Sequence, residues 1–125
     1  MTAPQLRTLS LEEVLALLIP LSFRGIADER GMQMRVEQAL LAAGASYQRE
    51  VVVAGGRIDF AIGAIGLECK VKDPLAALTR QCSAYTDDPR LNAIVVLTTK
   101  MAHRGLPDSL GGKPVRVVWC GGGML

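Results

Sequence analysis

Residues 57–71 read RIDFAIGAIGLECKV, and this stretch decides the fold. Its two apolar runs are separated by a turn-prone pair at 63–64, which predicts two short antiparallel strands. Because side chains alternate along a strand, Glu68 and Lys70 point to one face of the sheet. Asp59 lies on the preceding strand and comes near Glu68 if the turn pairs the two strands in that register. The stretch therefore predicts two carboxylates and one ammonium in a small polar site.

The sequence around this hairpin predicts an α/β fold. A further strand at 50–53 precedes those at 57–62 and 65–71, so the three form an antiparallel meander. Continuous apolar runs at 93–97 and 115–119 predict two buried strands. A strand, a crossover helix and another strand favour a parallel pair, so we predict a mixed β-sheet of about five strands flanked by helices.

Three helices are predicted around the sheet. The first follows a capping box formed by Ser10 and Glu13. The second has Asp28 as its N-cap, and the third starts at Asp73-Pro74, a pair typical of a helix start. The predicted bounds are about 11–19, about 29–43 and about 74–85, with a loop expected over 100–114.

Length and composition exclude several classes of protein. The 125 residues are 50% hydrophobic and 21% charged, which indicates a single folded domain over 1–125 and excludes general disorder. Aromatic residues make up 4%, which argues against a surface that stacks single-stranded bases. The formal net charge of +2 is too small for a polybasic binder, although it permits a local basic patch.

Cysteine spacing and hydropathy point to a reducing, cytoplasmic location. The three cysteines show no C-x-x-C spacing, so neither a disulfide scaffold nor a cysteine zinc site is predicted. The apolar stretch 11–21 is short, contains two glutamates and is interrupted by Pro20. We therefore expect no membrane partner.

One acid on the second helix occupies an unusual position. At about 100° per residue, Glu29 falls in the same arc as Met32, Val36 and Leu40, so its side chain faces the core. Glu37 lies on the flank of that stripe, where a carboxylate reaches water more easily. Glu29 is therefore the stronger candidate for a further acid at the site. The alternative interpretation is that Glu29 only stabilises the helix, because a negative charge in the first turn interacts favourably with the helix dipole.

Asp59, Glu68 and Lys70 together favour metal-assisted hydrolysis of a phosphodiester. Two adjacent carboxylates repel unless a cation lies between them, and hard oxygen ligands suit Mg²⁺ or Mn²⁺. Asp59 and Glu68 would hold the metal, and Glu29 would add a carboxylate through a water or hold a second ion. Lys70 would orient the attacking water or stabilise the transition state. The competing interpretation is a solvent-facing ion pair across two strands.

In the order of these residues the chain resembles the PD-(D/E)XK nuclease superfamily. The resemblance rests on Glu29, Asp59, Glu68-x-Lys70 and then Gln81 on the following helix. It implies that Asp59 and Glu68 are metal-binding acids, that Lys70 is the catalytic lysine and that Glu29, or less favourably Glu37, is the helix acid. Gln81 matches a polar residue that follows the motif in several resolvase-like branches.

The resemblance implies a restriction-endonuclease-like core and a DNA endonuclease that requires Mg²⁺ or Mn²⁺. It covers about 28–99, and the chain is similar to small phage-encoded and Holliday-junction-resolvase-like members. Ile58 stands where the family has a proline before the first acid, a position where the family varies. No recognition domain accompanies the core, so sequence-specific cutting is not expected, whereas selectivity for branched DNA remains open.

The expected partners are duplex or branched DNA and a second copy of the chain. Lys72, Arg57 and Arg80 are candidate contacts for backbone phosphates. The alternative interpretation is that these residues form a basic face that contacts only solvent. A small core presents little surface, so we expect a homodimer joined through the first helix or the 115–119 strand. The alternative function is a non-catalytic nucleic-acid-binding or assembly module that retains a nuclease-like core. The choice between DNA and RNA also stays open.

The remaining residues of chemical interest are assigned to packing or to the surface. Cys69, Cys82 and Tyr85 are interpreted as buried packing residues. His103 lies in the predicted loop beside Arg104 and is given no role as a base or a ligand.

Overall fold

The hairpin predicted at residues 57–71 is present in the computed structural model, which describes residues 5–121. The strands are β1 (Gln48–Val53), β2 (Gly56–Ile62), β3 (Ile65–Lys70), β4 (Ala93–Thr98), β5 (Ser109–Leu110) and β6 (Lys113–Trp119). β1, β2 and β3 form the predicted antiparallel meander, and β4 and β6 continue the sheet in parallel. The fold is therefore α/β with a mixed sheet, in the order β1-β2-β3-β4-β6-β5.

The predicted number of strands is wrong, because residues 5–121 contain six strands rather than five. The additional strand, β5, lies in the segment 100–114 that was expected to be a loop. It pairs antiparallel with the start of β6 across Gly111-Gly112, whose φ values are +58° and +77°. Positive φ at both central residues is the geometry of a two-residue hairpin, which glycine adopts without strain. The Gly-Gly pair was therefore a sequence signal for β5.

The helices are α1 (Leu11–Leu18), α2 (Glu29–Ala42) and α3 (Leu75–Tyr85), and a short 3₁₀ helix covers Met101–Gly105. The capping box of α1 forms as predicted, and the Asp28 carboxylate accepts a hydrogen bond from the Gly31 N–H at the start of α2. The predicted start of α3 is wrong in detail. Its N-cap is Pro74, which makes no side-chain capping bond, and Asp73 makes a different contact that is described below.

Apolar side chains bury both faces of the sheet. On one face α1 and α2 pack against β2, β3 and β4, with Met32, Val36 and Leu40 buried as the helical pattern predicted. On the other face α3 packs against β4 and β6 through residues that include Leu78, Cys82 and Tyr85. The two layers hold β3 and β4, all of whose residues are buried, at the centre of the molecule.

The β1–β2 hairpin changes the face to which its side chains point at Glu50 and Asp59. Phe60 packs with the α2 layer, whereas Ile58 packs with the α3 layer, although strict alternation would place both on one face. Glu50 has a positive φ of 53°, and register places it opposite Asp59 between the pairs at 49–60 and 51–58. This local twist allows the side chain of Asp59 to point toward β3.

None of the helices within residues 5–121 is long and apolar enough to cross a membrane.

Replacing Gly55 with alanine should destabilise the fold more than replacing Gly44. Both glycines have positive φ values, +84° and +65°, so each alanine variant has a strained backbone that costs about 1–2 kcal/mol. A Cβ at Gly55 would also collide with the Ala84 side chain on α3, whereas a Cβ at Gly44 would meet nothing within 4 Å. We expect urea unfolding to show a further loss of about 1–3 kcal/mol for Gly55→Ala, the usual effect of overpacking. Equal losses would contradict the close approach of the β1–β2 turn to α3.

Candidate active site

The predicted site lies where the hydrogen-bond ladder between β2 and β3 stops. The last backbone pair is Phe60 with Leu67, and the next pair in register would be Asp59 with Glu68. Beyond this pair, carboxylate side chains instead of backbone carbonyls accept the hydrogen bonds of the backbone N–H groups. The Asp59 N–H donates to Glu68 Oε1 at 3.1 Å, and the Cys69 N–H donates to Asp59 Oδ2 at 2.8 Å. Because buried N–H groups need partners, the two bonds fix the two carboxylates beside each other.

The second oxygen of Glu68 faces the hydroxyl of Tyr85. The Tyr85 Oη atom lies 3.1 Å from Glu68 Oε2 and 3.2 Å from the Arg57 carbonyl oxygen, and both oxygens compete for its one proton. Gln81 lies one helical turn before Tyr85, and its Nε2 donates to the same hydroxyl at 2.8 Å. Gln81 therefore acts on Glu68 only through Tyr85.

Lys70 provides the positive charge of the site. Its Nζ lies 3.7 Å from Glu68 Oε2 and donates to Asp73 Oδ2 at 3.1 Å. Only 9% of Lys70 and 4% of Glu68 are exposed, so the pair interacts with little screening by water. Asp73, which was expected to cap α3, instead binds the predicted catalytic lysine.

Asp73 is held in a strained backbone conformation by polar contacts. Its φ of +80° is costly for a residue with a side chain, on the order of 1–3 kcal/mol. Its carbonyl oxygen accepts from Lys100 Nζ at 3.2 Å and from the buried His103 Nε2 at 2.8 Å. A carbonyl only accepts, so Nε2 carries a proton, and the other ring nitrogen lies 2.6 Å from Thr98 Oγ1. Thr98 and His103 thus support the turn that brings Asp73 to Lys70.

Glu29 lies at the same end of the sheet as Lys70. It occupies the first turn of α2, and its Oε1 accepts from the Val71 N–H at 3.3 Å. Burial raises the pKa of Asp59, and the charge of Glu29 adds to the increase. Glu37 lies elsewhere, because Tyr47 Oη donates to it at 2.7 Å and Arg49 at 2.9 Å. Of the two helix acids, the structure places Glu29 at the site.

The two carboxyl groups of the site perturb one another. Burial raises the pKa of Glu68 to about 7, and the charge of Asp59 adds to the increase, while Lys70 and the hydrogen bonds from Asp59 and Tyr85 oppose it. Burial also raises the pKa of Asp59, although the Cys69 N–H, Lys70 and a hydrogen bond with Glu68 counteract this. Both shifts favour the protonated form of these carboxyl groups relative to free ones.

The ammonium of Lys70 stays charged despite its burial. Burial alone lowers the pKa of a lysine, but the hydrogen bond to Asp73 and the charges of Glu68, Glu29 and Asp73 outweigh it, so that the pKa of Lys70 is raised. The same hydrogen bond lowers the pKa of Asp73. Lys70 can therefore act as a fixed positive charge, but it is not a ready proton acceptor near neutral pH.

The three residues predicted to contact phosphates have exposed side chains. Arg57 lies on β2 two residues before Asp59, and Lys72 follows Lys70 by two residues. Arg80 precedes Gln81 on α3. All three side chains are exposed, and their role as DNA contacts stays a prediction.

Sequence reasoning missed three residues of this site. Tyr85 was interpreted only as core, although its position four residues after Gln81 places both side chains on one helix face. Asp73 was expected to be a helix cap, because the Asp-Pro pair is typical of a helix start. His103 was given no role, and the sequence contains no signal for its contact with Asp73, which spans 30 residues.

No protein-family model, no curated protein and no solved structure matches the chain. The case for a function therefore rests on the donor set of the site.

This donor set suits a hard divalent cation better than zinc. In residues 5–121 no three histidine, cysteine, aspartate or glutamate side chains form a group that could hold a metal ion by itself. Mg²⁺ does not need such a group, because it usually keeps several waters and binds through one or two carboxylates and a substrate phosphate. Asp59 and Glu68 offer two adjacent carboxylates, and Glu29 offers a third nearby. Carboxylate oxygens such as those of Asp59 and Glu68 are ligands that Mg²⁺ and Mn²⁺ prefer.

Replacing Glu68 with glutamine should reduce the dependence of stability on pH. The pKa of Glu68 rises from 4.5 to about 7 on folding, so the folded state binds more protons than the unfolded state between these values. The free energy of unfolding of the unmodified protein should therefore fall, by on the order of 3 kcal/mol from this group, as pH rises from about 4.5 to about 7.

The measurement is urea unfolding in EDTA at about pH 5 and about pH 8 for the unmodified protein and for Glu68→Gln. The variant should lose less stability than the unmodified protein over this interval. Parallel changes in the two proteins would contradict the burial of an ionisable group at position 68.

Proposed function

We propose that the chain is a metal-dependent DNA endonuclease of the PD-(D/E)XK type, with Asp59, Glu68 and Lys70 as its catalytic centre. The observation that carries the proposal is the pair of carboxylates at the open end of the β2–β3 ladder, with the Lys70 Nζ 3.7 Å from Glu68. This is the arrangement that hydrolysis of a phosphodiester requires: acids that bind a divalent cation, and a fixed positive charge beside them.

The order of the elements supports a restriction-endonuclease-like core. The chain forms a helix, a three-strand meander, a second helix and a parallel strand in this order, namely α2, β1, β2, β3, α3 and β4. Asp59 and Glu68 come from neighbouring strands of the meander, and Glu29 comes from the helix before it. In this order the acids lie near the end of β3, where Lys70 and the turn into α3 also lie.

A purely structural ion pair explains the site less well. Burial of charge is unfavourable unless each charge has a partner, and one lysine faces Glu68, Asp59 and Glu29 here. Burial raises the pKa of Asp59 and of Glu68, and the charge of a neighbouring acid adds to each increase. Perturbed acids of this kind cluster at functional sites, because a ligand compensates them.

The residues have separate roles in the proposed reaction. Asp59 and Glu68 would hold Mg²⁺ or Mn²⁺, and Glu29 would add a further carboxylate. The cation would supply Lewis-acid stabilisation of the phosphate and would activate water. Lys70 stabilises the negative charge that develops on the phosphate oxygens. Tyr85 and Gln81 position Glu68, and Asp73 positions Lys70 through the hydrogen bond between them.

The proposed partners are duplex or branched DNA and a second copy of the chain. Arg57, Lys72 and Arg80 are exposed and would contact backbone phosphates. A two-fold dimer would present two such sites to the two strands of a junction.

Substitution of Asp59 or Glu68 by the corresponding amide, or of Lys70 by methionine, should abolish cleavage. Each amide removes a charged ligand of the metal, and Lys70→Met removes the ammonium that stabilises the transition state, so we expect a loss of about 10²–10³-fold or more in rate. The measurement is cleavage of plasmid, branched and single-stranded DNA and of RNA in Mg²⁺ or Mn²⁺. Glu29→Gln should slow cleavage, and Glu37→Gln is the matched control, because its carboxylate is bound by Tyr47 and Arg49 away from the site.

Two results would contradict the proposal. One is cleavage that persists in Asp59→Asn and Lys70→Met, which would indicate a contaminating nuclease. The other is DNA binding without cleavage of any substrate by the unmodified protein, which would favour the non-catalytic binding module.

Binding of Mn²⁺ should depend on the same acids. Isothermal calorimetry near neutral pH should detect binding to the unmodified protein and to Glu37→Gln, and should detect none with Asp59→Asn or Glu68→Gln. Loss of one of two carboxylate ligands removes much of the affinity of such a site. Equal binding by all four proteins would exclude Asp59 and Glu68 as ligands, whatever the outcome of the cleavage assay.

A further inference from the structure

A cavity of about 440 Å³ lies beside the acids and has no role in the reaction described above. It is lined by Arg24, Gly25, Ile26, Ala27, Val71 and Thr99. Its walls are the loop that leads into α2 and the residues that directly follow β3 and β4. Cavities of roughly 300–1,000 Å³ are the usual size for binding small organic groups.

The cavity borders the end of the proposed site at which Glu29 lies. Val71 directly follows Lys70 in the sequence, and its N–H donates to Glu29 Oε1 at 3.3 Å. On the other side, Ala27 is separated from Glu29 only by Asp28, the N-cap of α2. A group in the cavity would therefore lie on the Glu29 side of a phosphate that a cation binds at the acids.

The chemistry of the lining matches a nucleotide. Ile26, Ala27 and Val71 present aliphatic surface, on which the flat face of a base can pack. Positive charges surround this apolar surface. Arg24 is exposed at the rim, and Lys72 and Lys100 directly follow the wall residues Val71 and Thr99. Apolar walls bordered by cations suit a base that is attached to a phosphate backbone.

We propose that this cavity binds one unpaired base of the DNA strand beside the bond that is cleaved. A base inside a duplex is stacked on both sides and must be flipped out before it can enter, whereas a base in a flap, a fork or a single-stranded end enters without this penalty. The inference rests on the proposed nuclease function, and it names the substrate class: DNA with an unpaired nucleotide at the cleavage position is preferred over continuous duplex.

The test uses oligonucleotides that carry 2-aminopurine, whose fluorescence reports unstacking and transfer to a new environment. One probe has the label in a short single-stranded overhang, and the other has it within a paired duplex. Binding is measured in EDTA, so that the readout does not depend on cleavage. We expect the fluorescence of the overhang probe to change on binding and the unmodified protein to bind it at least about tenfold more tightly than the duplex.

Two variants alter the cavity without touching the acids. Ala27→Leu fills it from an exposed position, and Arg24→Ala removes the cation at its rim. Each should weaken binding of the overhang probe by about fivefold or more and leave duplex binding nearly unchanged. Arg35→Ala is the matched control, because it also removes one positive charge, from a position on α2 that does not line the cavity. It should have little effect on the preference for the overhang probe over the duplex.

The outcomes separate this inference from the proposed function. Cleavage in Mn²⁺ with no preference for the overhang probe, and no effect of Ala27→Leu, would overturn the cavity proposal and leave the nuclease intact. A preference for the overhang probe that Ala27→Leu abolishes, in a protein that cleaves no DNA, would support the cavity and overturn the nuclease. Equal weakening by Arg35→Ala would overturn the cavity proposal, since it would indicate general attraction to charge.

Discussion

The open end of the β2–β3 ladder is the constraint on which the rest of the site depends. At this point two backbone N–H groups exchange strand partners for carboxylate oxygens, those of Asp59 and Glu68. A buried N–H that lost its ladder partner would otherwise be unsatisfied, so the acids stabilise the opening that they occupy. The carboxylates consequently cannot turn away without leaving both donors unpaired. The two carboxylates are therefore close because backbone hydrogen bonds hold them there. The repulsion between their charges opposes this arrangement.

Two strained residues provide the geometry around this opening. Glu50 adopts a positive φ opposite Asp59, where β1 and β2 change the face to which their side chains point. Asp73 adopts a positive φ after β3, and its carbonyl is bound by Lys100 and His103 while its carboxylate binds Lys70. Non-glycine residues in this conformation persist only where the surrounding contacts over-determine them. Both strained positions border the acids. The backbone on each side of the site therefore has an unfavourable conformation, which the surrounding contacts maintain.

The sequence predicted the proximity of Asp59 and Glu68 on the condition that the turn at 63–64 pairs the two strands in that register. The structure has this register, whereas the twist at Glu50 that turns Asp59 toward β3 has no signal in the sequence. The bounds of α1 and α2 followed from caps and periodicity. The contacts that complete the site are different. Tyr85 reaches Glu68 across 17 residues and His103 reaches Asp73 across 30, and such contacts depend on how α3 and the 3₁₀ helix pack rather than on any local pattern. The positive φ of Asp73 was equally inaccessible, because an Asp-Pro pair ordinarily indicates a helix cap.

The balance of charge in the site favours a ligand-binding role over a stabilising one. Replacement of buried ion pairs by apolar residues is often neutral or stabilising, so a fold gains little from keeping acids inside. Here Ile58, Phe60 and Leu67 are fully buried around the acids. An apolar residue at position 68 would remove a group whose pKa is raised to about 7, but it would also leave the Asp59 N–H without its acceptor. Glu68 nevertheless has a dedicated hydroxyl from Tyr85, itself held by Gln81, and a lysine whose position Asp73 and His103 maintain. This much support for one carboxylate with a raised pKa agrees with the catalytic role proposed for Glu68.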